Sequence, residues 1–366
     1  MRLLDNWRNL GLFFAAALLA GLAMTTSTGQ VGAATANAPA PRTWTVLVGG
    51  EAGITQQEMG PVGAWQFMRF YPDTITINVG DTVVWKLNSS ELHTVTFPMS
   101  GQKSPDLVVP EGGDSRRMML NPLAAFPQGG NSYNGNALVG SGQMDRSGQF
   151  PQEFKVTFTG VGSFDYFCAF HTMMTGKVIV QGAGSGYPQT REQIDASASA
   201  VLASDAAAAR PLEPLANMVS TRPGLNGSTV YELHMGYGNG TMSWMRFGPT
   251  DLTIKKGDTV VWVQGDVDTP HTVTFTSGGT EPELVLPEPQ PQGPPKLILN
   301  PIILAPAGGA SYGGTGYYNS GFIWGTLTPI PGPHSYSLTF DTPGSFEYVC
   351  ALHDLMGMKG QITVQP

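Results

Sequence analysis

The sequence predicts an all-β protein made of two tandem Greek-key sandwiches joined by a partly helical linker. Three observations carry that prediction. Gly and Pro are abundant (47 and 29 of 366 residues) and only 13% of residues are charged, a composition of turn-rich strands more than of helices. Apolar residues alternate with a period of two in runs such as Thr74-Ile-Thr-Ile-Asn-Val79, closed by a Gly-Asp turn. The chain also repeats itself.

Phe67-Met-Arg-Phe70 is answered by Trp244-Met-Arg-Phe247, and the run Asp73 to Trp85, ending Gly-Asp-Thr-Val-Val-Trp, by Thr250 to Trp262 with the same ending. The interval between matching residues widens slightly toward the C-terminus of each copy, so small insertions accumulate in loops. Residues 43–181 and 228–366 are therefore expected to form one sandwich each, a usual domain size. Strands in the first copy are expected at Thr43–Val48, Thr74–Val79, His93–Phe97, Phe154–Thr159, Phe164–Phe167 and Lys177–Val180. Between the copies, residues 182–227 read as a linker. Its centre, Arg191 to Arg210, is dominated by Ala and predicts a helix.

Residues 1–36 read as an export signal. Arg2 and Arg8 precede the apolar run Leu10 to Met24, and small residues at Val31-Gly-Ala33 and Ala34-Thr-Ala36 offer cleavage sites. The run is shorter than the about 20 residues that span a bilayer. The expected location is periplasmic or secreted, with membrane association only through an uncleaved leader. The 27 acidic residues outnumber the 19 basic ones, a net charge of -8, which argues against nucleic acid as a partner.

The chemistry lies in two copies of one motif, Cys168-Ala-Phe-His171-Thr-Met-Met174 and Cys350-Ala-Leu-His353-Asp-Leu-Met-Gly-Met358. Each is preceded by His-Thr-Val-Thr-Phe, beginning at His93 and His271. These are the only 2 cysteines. In an exported chain they would ordinarily suggest a disulfide. Their equivalent positions in separate repeats, each with a His three residues on, argue for two metal sites instead. A thiolate, two imidazoles and a weak thioether are the donors of a blue-copper electron-transfer centre, although zinc accepts similar ligands. Met173 and Met174 both follow His171, and Met356 and Met358 both follow His353. Aligning Gly176-Lys-Val-Ile-Val with Gly360-Gln-Ile-Thr-Val selects Met174 and Met358, each two residues before its Gly.

These segments resemble the cupredoxins, the type 1 copper family. The Cys350 loop is similar to that of plastocyanin and the shorter Cys168 loop to that of amicyanin. The resemblance implies an eight-strand sandwich with copper at one end of each copy. It also implies one-electron transfer between a redox donor and acceptor of the cytochrome or oxidase class, with no small-molecule substrate. Two departures stand out: Thr94 and Thr272 follow the remote His where plastocyanin-like proteins commonly have Asn, and the His-to-Cys segments are unusually long. Such a segment is either a functional element or a packed cover over the sandwich. The unequal ligand loops lead us to expect unequal reduction potentials.

Tandem cupredoxin repeats also build multicopper oxidoreductases, including copper nitrite reductases. Of 6 histidines, four are assigned to the two type 1 sites, leaving His234 and His334, too few for the additional copper centres of those enzymes. An envelope copper chaperone is the other alternative; it would give up its metal instead of cycling it. Met235, Met242 and Met245 form a loose cluster that we read as packing in preference to copper import.

Overall fold

The structure, a computed structural model, describes residues 40–328 and 332–366. The segment read as an export signal lies outside the described residues. Residues Pro41–Pro366 form one compact unit.

In the first half, one layer centres on Thr43–Gln57. This strand runs antiparallel to Gly60–Tyr71 and parallel to Thr82–Leu87, and the layer continues through Glu153–Phe158. The facing layer runs Thr74–Asn78, Thr175–Gln181, Gly162–Phe167, Thr96–Phe97 and Val139–Gly140. Alternation decides which side chains enter the space between the layers: Ile75 and Ile77 are buried while Thr74 is exposed. Trp44, Val46 and Trp85 from one layer share a core with Ile75, Tyr166, Val178 and Val180 from the other.

The second half repeats the plan. Thr229–Gly238 pairs with Met242–Gly248 and with Thr259–Gln264, which in turn pairs with Ser335–Phe340. The facing layer contains Asp251–Lys255, Lys359–Gln365, Gly344–Val349, Thr274–Phe275 and Tyr318–Ser320. Trp262 occupies the place of Trp85, and both are fully buried. The fold is thus all-β, with two sandwiches. One strand is shorter than expected: in His93–Phe97 only Thr96–Phe97 forms a strand, and His93 makes an isolated bridge to Met144. The Thr94 amide donates to Cys168 Sγ, so it is not available to a ladder.

Two seams join the halves. Gly60–Tyr71 pairs antiparallel with Met242–Gly248, so a single 11-stranded sheet crosses both sandwiches. Gln66 lies directly opposite Ser243, and these are equivalent positions of the repeat. The long His-to-Cys segments make the second seam. Each folds a hairpin, Val108–Glu111 with Asp114–Leu120 and Val285–Glu288 with Lys296–Leu299, and the hairpins meet at Met119 and Ile298, again equivalent positions. Arg117 pairs with Glu288 and Lys296 with Glu111 across this seam. Like positions facing one another are the mark of a two-fold contact, here built within one chain.

The linker helix spans Arg191–Ala209. Thr190 caps it through a reciprocal bond pair with Gln193. Its Ala198 and Ala209 pack with Trp65, Phe67, Met242 and Trp244, so the helix covers the first seam from outside. Tyr71 donates to Asp205 of the helix at 2.6 Å, and Arg69 donates to the same carboxylate at 3.2 Å.

Candidate metal centres

Each half brings one thiolate and two imidazoles together. The donor atoms of His93, Cys168 and His171 lie within 4.8 Å of one another, as do those of His271, Cys350 and His353, and all six residues are buried. Cys168 and Cys350 each begin a tight loop between the last two strands of their sandwich. The loop is closed by the cysteine amide donating to the carbonyl of Met174 or Met358, at 2.9 and 3.0 Å. The remote histidine comes from the segment leading into the neighbouring strand, Thr96–Phe97 or Thr274–Phe275, and is held by reciprocal backbone bonds to Met144 or Ile323.

All four imidazoles present Nδ1 to sulfur. The separations are 3.8 Å for His93 and 3.5 Å for His171 from Cys168 Sγ, and 3.8 Å for His271 and 3.4 Å for His353 from Cys350 Sγ. Metal–sulfur bonds of about 2.3 Å and metal–nitrogen bonds of about 2.0 Å, meeting at a tetrahedral to trigonal angle, would place S and N about 3.5 to 3.8 Å apart. The donor sets therefore fit a single ion each. Burial pushes the thiols up, to about 11 for Cys168 and about 12 for Cys350, and pushes all four imidazoles down. Neutral imidazoles are what a metal requires. The thiolate needs the cation to form in so dry a pocket.

The neighbours of the donors are partly shared and partly different. Thr94 and Thr272 donate backbone N–H to the cysteine sulfurs at 3.3 and 3.4 Å, and their hydroxyls accept from Ala169 and Ala351. Each Thr thereby ties the remote-histidine segment to the cysteine loop, which is how the chain manages without Asn there. His93 Nε2 lies 2.9 Å from Ser89 Oγ, whereas among the described residues His271 Nε2 has no hydrogen-bond partner. His353 Nε2 lies 3.8 Å from Glu91 Oε2, a carboxylate of the other half. That is too long for a hydrogen bond, and the neutral imidazole makes no ion pair with it. Burial pushes Glu91 up to about 7, and among the described residues its Oε2 has no hydrogen-bond partner.

Two glycines that sequence reading did not single out make room for the remote rings. Gly49 (φ 72°) and Gly236 (φ 66°) sit at bulges, where the register of Thr43–Gln57 and of Thr229–Gly238 shifts. A Cβ at either position would overlap His93 Nε2 or His271 Nε2. Their signal was present as Gly at a repeated position, but a sequence rich in Gly hides it. The other two histidines stand apart: His234 Nδ1 faces the Ala216 carbonyl and exposed His334 the Trp324 carbonyl. Among the described residues neither belongs to a metal-holding group. Met235, Met242 and Met245 are buried in core clusters.

A buried Cys-His-His set in a β-sandwich, twice over, defines a metal-binding protein of the copper type. The sequence profile described as copper binding proteins, plastocyanin/azurin family, matches residues 60–181 and 327–365. Plastocyanin of Scenedesmus fuscus is 34% identical over 119 residues, which span 32% of this chain and 86% of that protein. The chain belongs to the plastocyanin/azurin family of copper-binding proteins. Among solved structures, a reduced amicyanin mutant is 21% identical, covering 38% of this chain and 82% of its own, with a TM-score of 0.21. A mutant plastocyanin of fern is 22% identical over 37% of this chain and 99% of its own, with a TM-score of 0.20. The two Cys-His-His sites match a complement of two copper ions.

Because the bulge glycines border the remote rings, Gly49→Ala and Gly236→Ala are expected each to displace one histidine. Elemental analysis should then show the loss of about one copper per chain from each variant.

Proposed function

We propose that this chain is an extracytoplasmic electron carrier with two type 1 copper centres, one per half. The observation that carries the reading is the pair of dry Cys-His-His sets, each with a Met at the end of its loop. His93, Cys168 and His171 would hold the first ion, and His271, Cys350 and His353 the second. Met174 and Met358 would supply the weak axial thioethers. Both are buried, whereas Met173 is exposed and Met356 packs into the core of the other half. Copper, when bound, supplies a one-electron couple; the chain's residues hold its ligands rigidly and keep water out, which limits rearrangement between oxidation states.

An export leader at residues 1–36 supports the extracytoplasmic location, and no helix among the described residues is long and apolar enough to cross a membrane. The partners would be a one-electron donor and acceptor. A catalytic role in the manner of nitrite reductases is disfavoured by the isolation of His234 and His334. The 43–181 and 228–366 division serves as a description of the two repeats, with 182–227 between them.

The mature protein should contain two coppers and show an intense thiolate-to-copper visible band. Cys168→Ser and Cys350→Ser should each remove one copper and about half of that band; a colourless protein with two tightly held metals would contradict the redox reading. The sites should also differ in potential. Glu91 places a carboxylate beside His353, which favours the more positive copper state at Cys350. Well above neutral pH, Glu91→Gln should raise the potential of the second centre and leave the first nearly unchanged. The difference should fade as the pH falls and the wild-type carboxyl takes up its proton. A redox titration followed through the visible band reads both effects.

A further inference from the structure

The histidines that follow the cysteines, His171 and His353, are only 4% and 5% exposed. The loops that carry them meet the other half of the chain. Thr172, next to His171, donates its backbone N–H to Asp268 Oδ2 at 2.9 Å, and Asp268 lies just ahead of His271. In the opposite sense, His353 Nε2 faces Glu91, just ahead of His93. Burial pushes His171 down to about 3, with His353 of the other half as a lesser contributor. Met356 of the second ligand loop packs with Met245 in the core of the first half, and Lys359 pairs with Glu58. Met173 of the first loop lies against Gly240. Each ligand loop is thus docked on the opposite half.

The seams explain why. Gln66 opposite Ser243 and Met119 opposite Ile298 mark an internal two-fold, and that operation carries the Cys168 loop onto the Cys350 loop. Gln66 accepts from the Glu91 amide at 3.3 Å, and Ser243 donates to Asp266, whose other oxygen accepts from the Asp268 and Thr269 amides. The residues on the axis therefore position the same segments that cap the two histidines. A carrier with independent sites has no use for this arrangement, since it hides both imidazole edges from an external protein.

Resting on the two-copper reading above, we propose that the centres form a facing pair that exchanges an electron within the chain, across the junction where Thr172 of the first loop meets Asp268 and His353 of the second faces Glu91. In each exchange one cuprous centre is oxidised and the opposite cupric centre is reduced; no further reactant is needed, and an external one-electron donor supplies the first electron. The chain then acts as a relay with an entry centre and an exit centre, and the unequal surroundings of His171 and His353 set the direction.

The test uses unmodified full-length protein loaded with copper. Electron paramagnetic resonance spectra are taken fully oxidised and after addition of one electron per chain. Two cupric ions facing one another broaden each other's lines, so the lines should sharpen when half of the copper is reduced. A pulse of less than one electron per chain should be followed by a second optical phase whose rate is independent of protein concentration. Linewidths unchanged between the two states, together with a second phase that scales with concentration, would overturn the pairing. Failure of the two-copper reading itself would look different: copper content below two, or no thiolate band, in the starting material.

Discussion

The pairing of Gly60–Tyr71 with Met242–Gly248 is the contact on which the rest of the molecule depends. It joins two sandwiches into one sheet and does so with equivalent residues face to face, so the two halves are related by rotation and not strung along a line. The strands pair through Met242, Ser243 and Trp244 opposite Phe67, Gln66 and Trp65, with no charged residue among the paired positions to protect the edge. Met242–Gly248 is buried along its whole length. The linker helix closes over the same strands with small Ala residues, which lets it lie close to Trp65 and Trp244.

That rotation gives meaning to features that look unrelated when each half is considered alone. The long His-to-Cys segments are neither lids nor simple covers. They extend into hairpins that meet each other at Met119 and Ile298, bracing the contact at a second point and flanking it with ion pairs. The buried polar residues Gln66, Ser243 and Asp266 lie along the junction with hydrogen bonds, as buried polar groups must. Among the described residues, Glu91 Oε2, Trp65 Nε1 and Thr269 Oγ1 have no hydrogen-bond partner, and the Glu91 oxygen faces His353 of the opposite half. Unpaired buried groups of this kind need an explanation, and a role in setting the properties of His353 supplies one for Glu91.

Much of this was legible in the residues. The repeat, the alternating strands and the linker helix were readable because each is a local pattern: period two in Thr74–Asn78, Ala-rich propensity in Arg191–Ala209. The Cys-His-His sets were readable because their spacing is rigid and their chemistry narrow. What could not be read depends on distant partners. Nothing in Asp114–Leu120, Asp-Ser-Arg-Arg followed by Met-Met-Leu, announces that it will pair with Lys296–Leu299 of the other repeat, since a short strand of mixed polarity is compatible with many partners. Gly49 and Gly236 were lost among 47 glycines, because the need for a missing Cβ arises only when a ring from another segment arrives. The burial of His171 and His353 is likewise a property of the assembled halves.

The central claim is that one chain holds two copper centres, set against each other by an internal two-fold. The most direct measurement is a crystallographic anomalous-difference map collected at the copper absorption edge. The account predicts two peaks per chain, one among His93, Cys168 and His171 and one among His271, Cys350 and His353. A single peak, or copper held at His234 or His334, would contradict it.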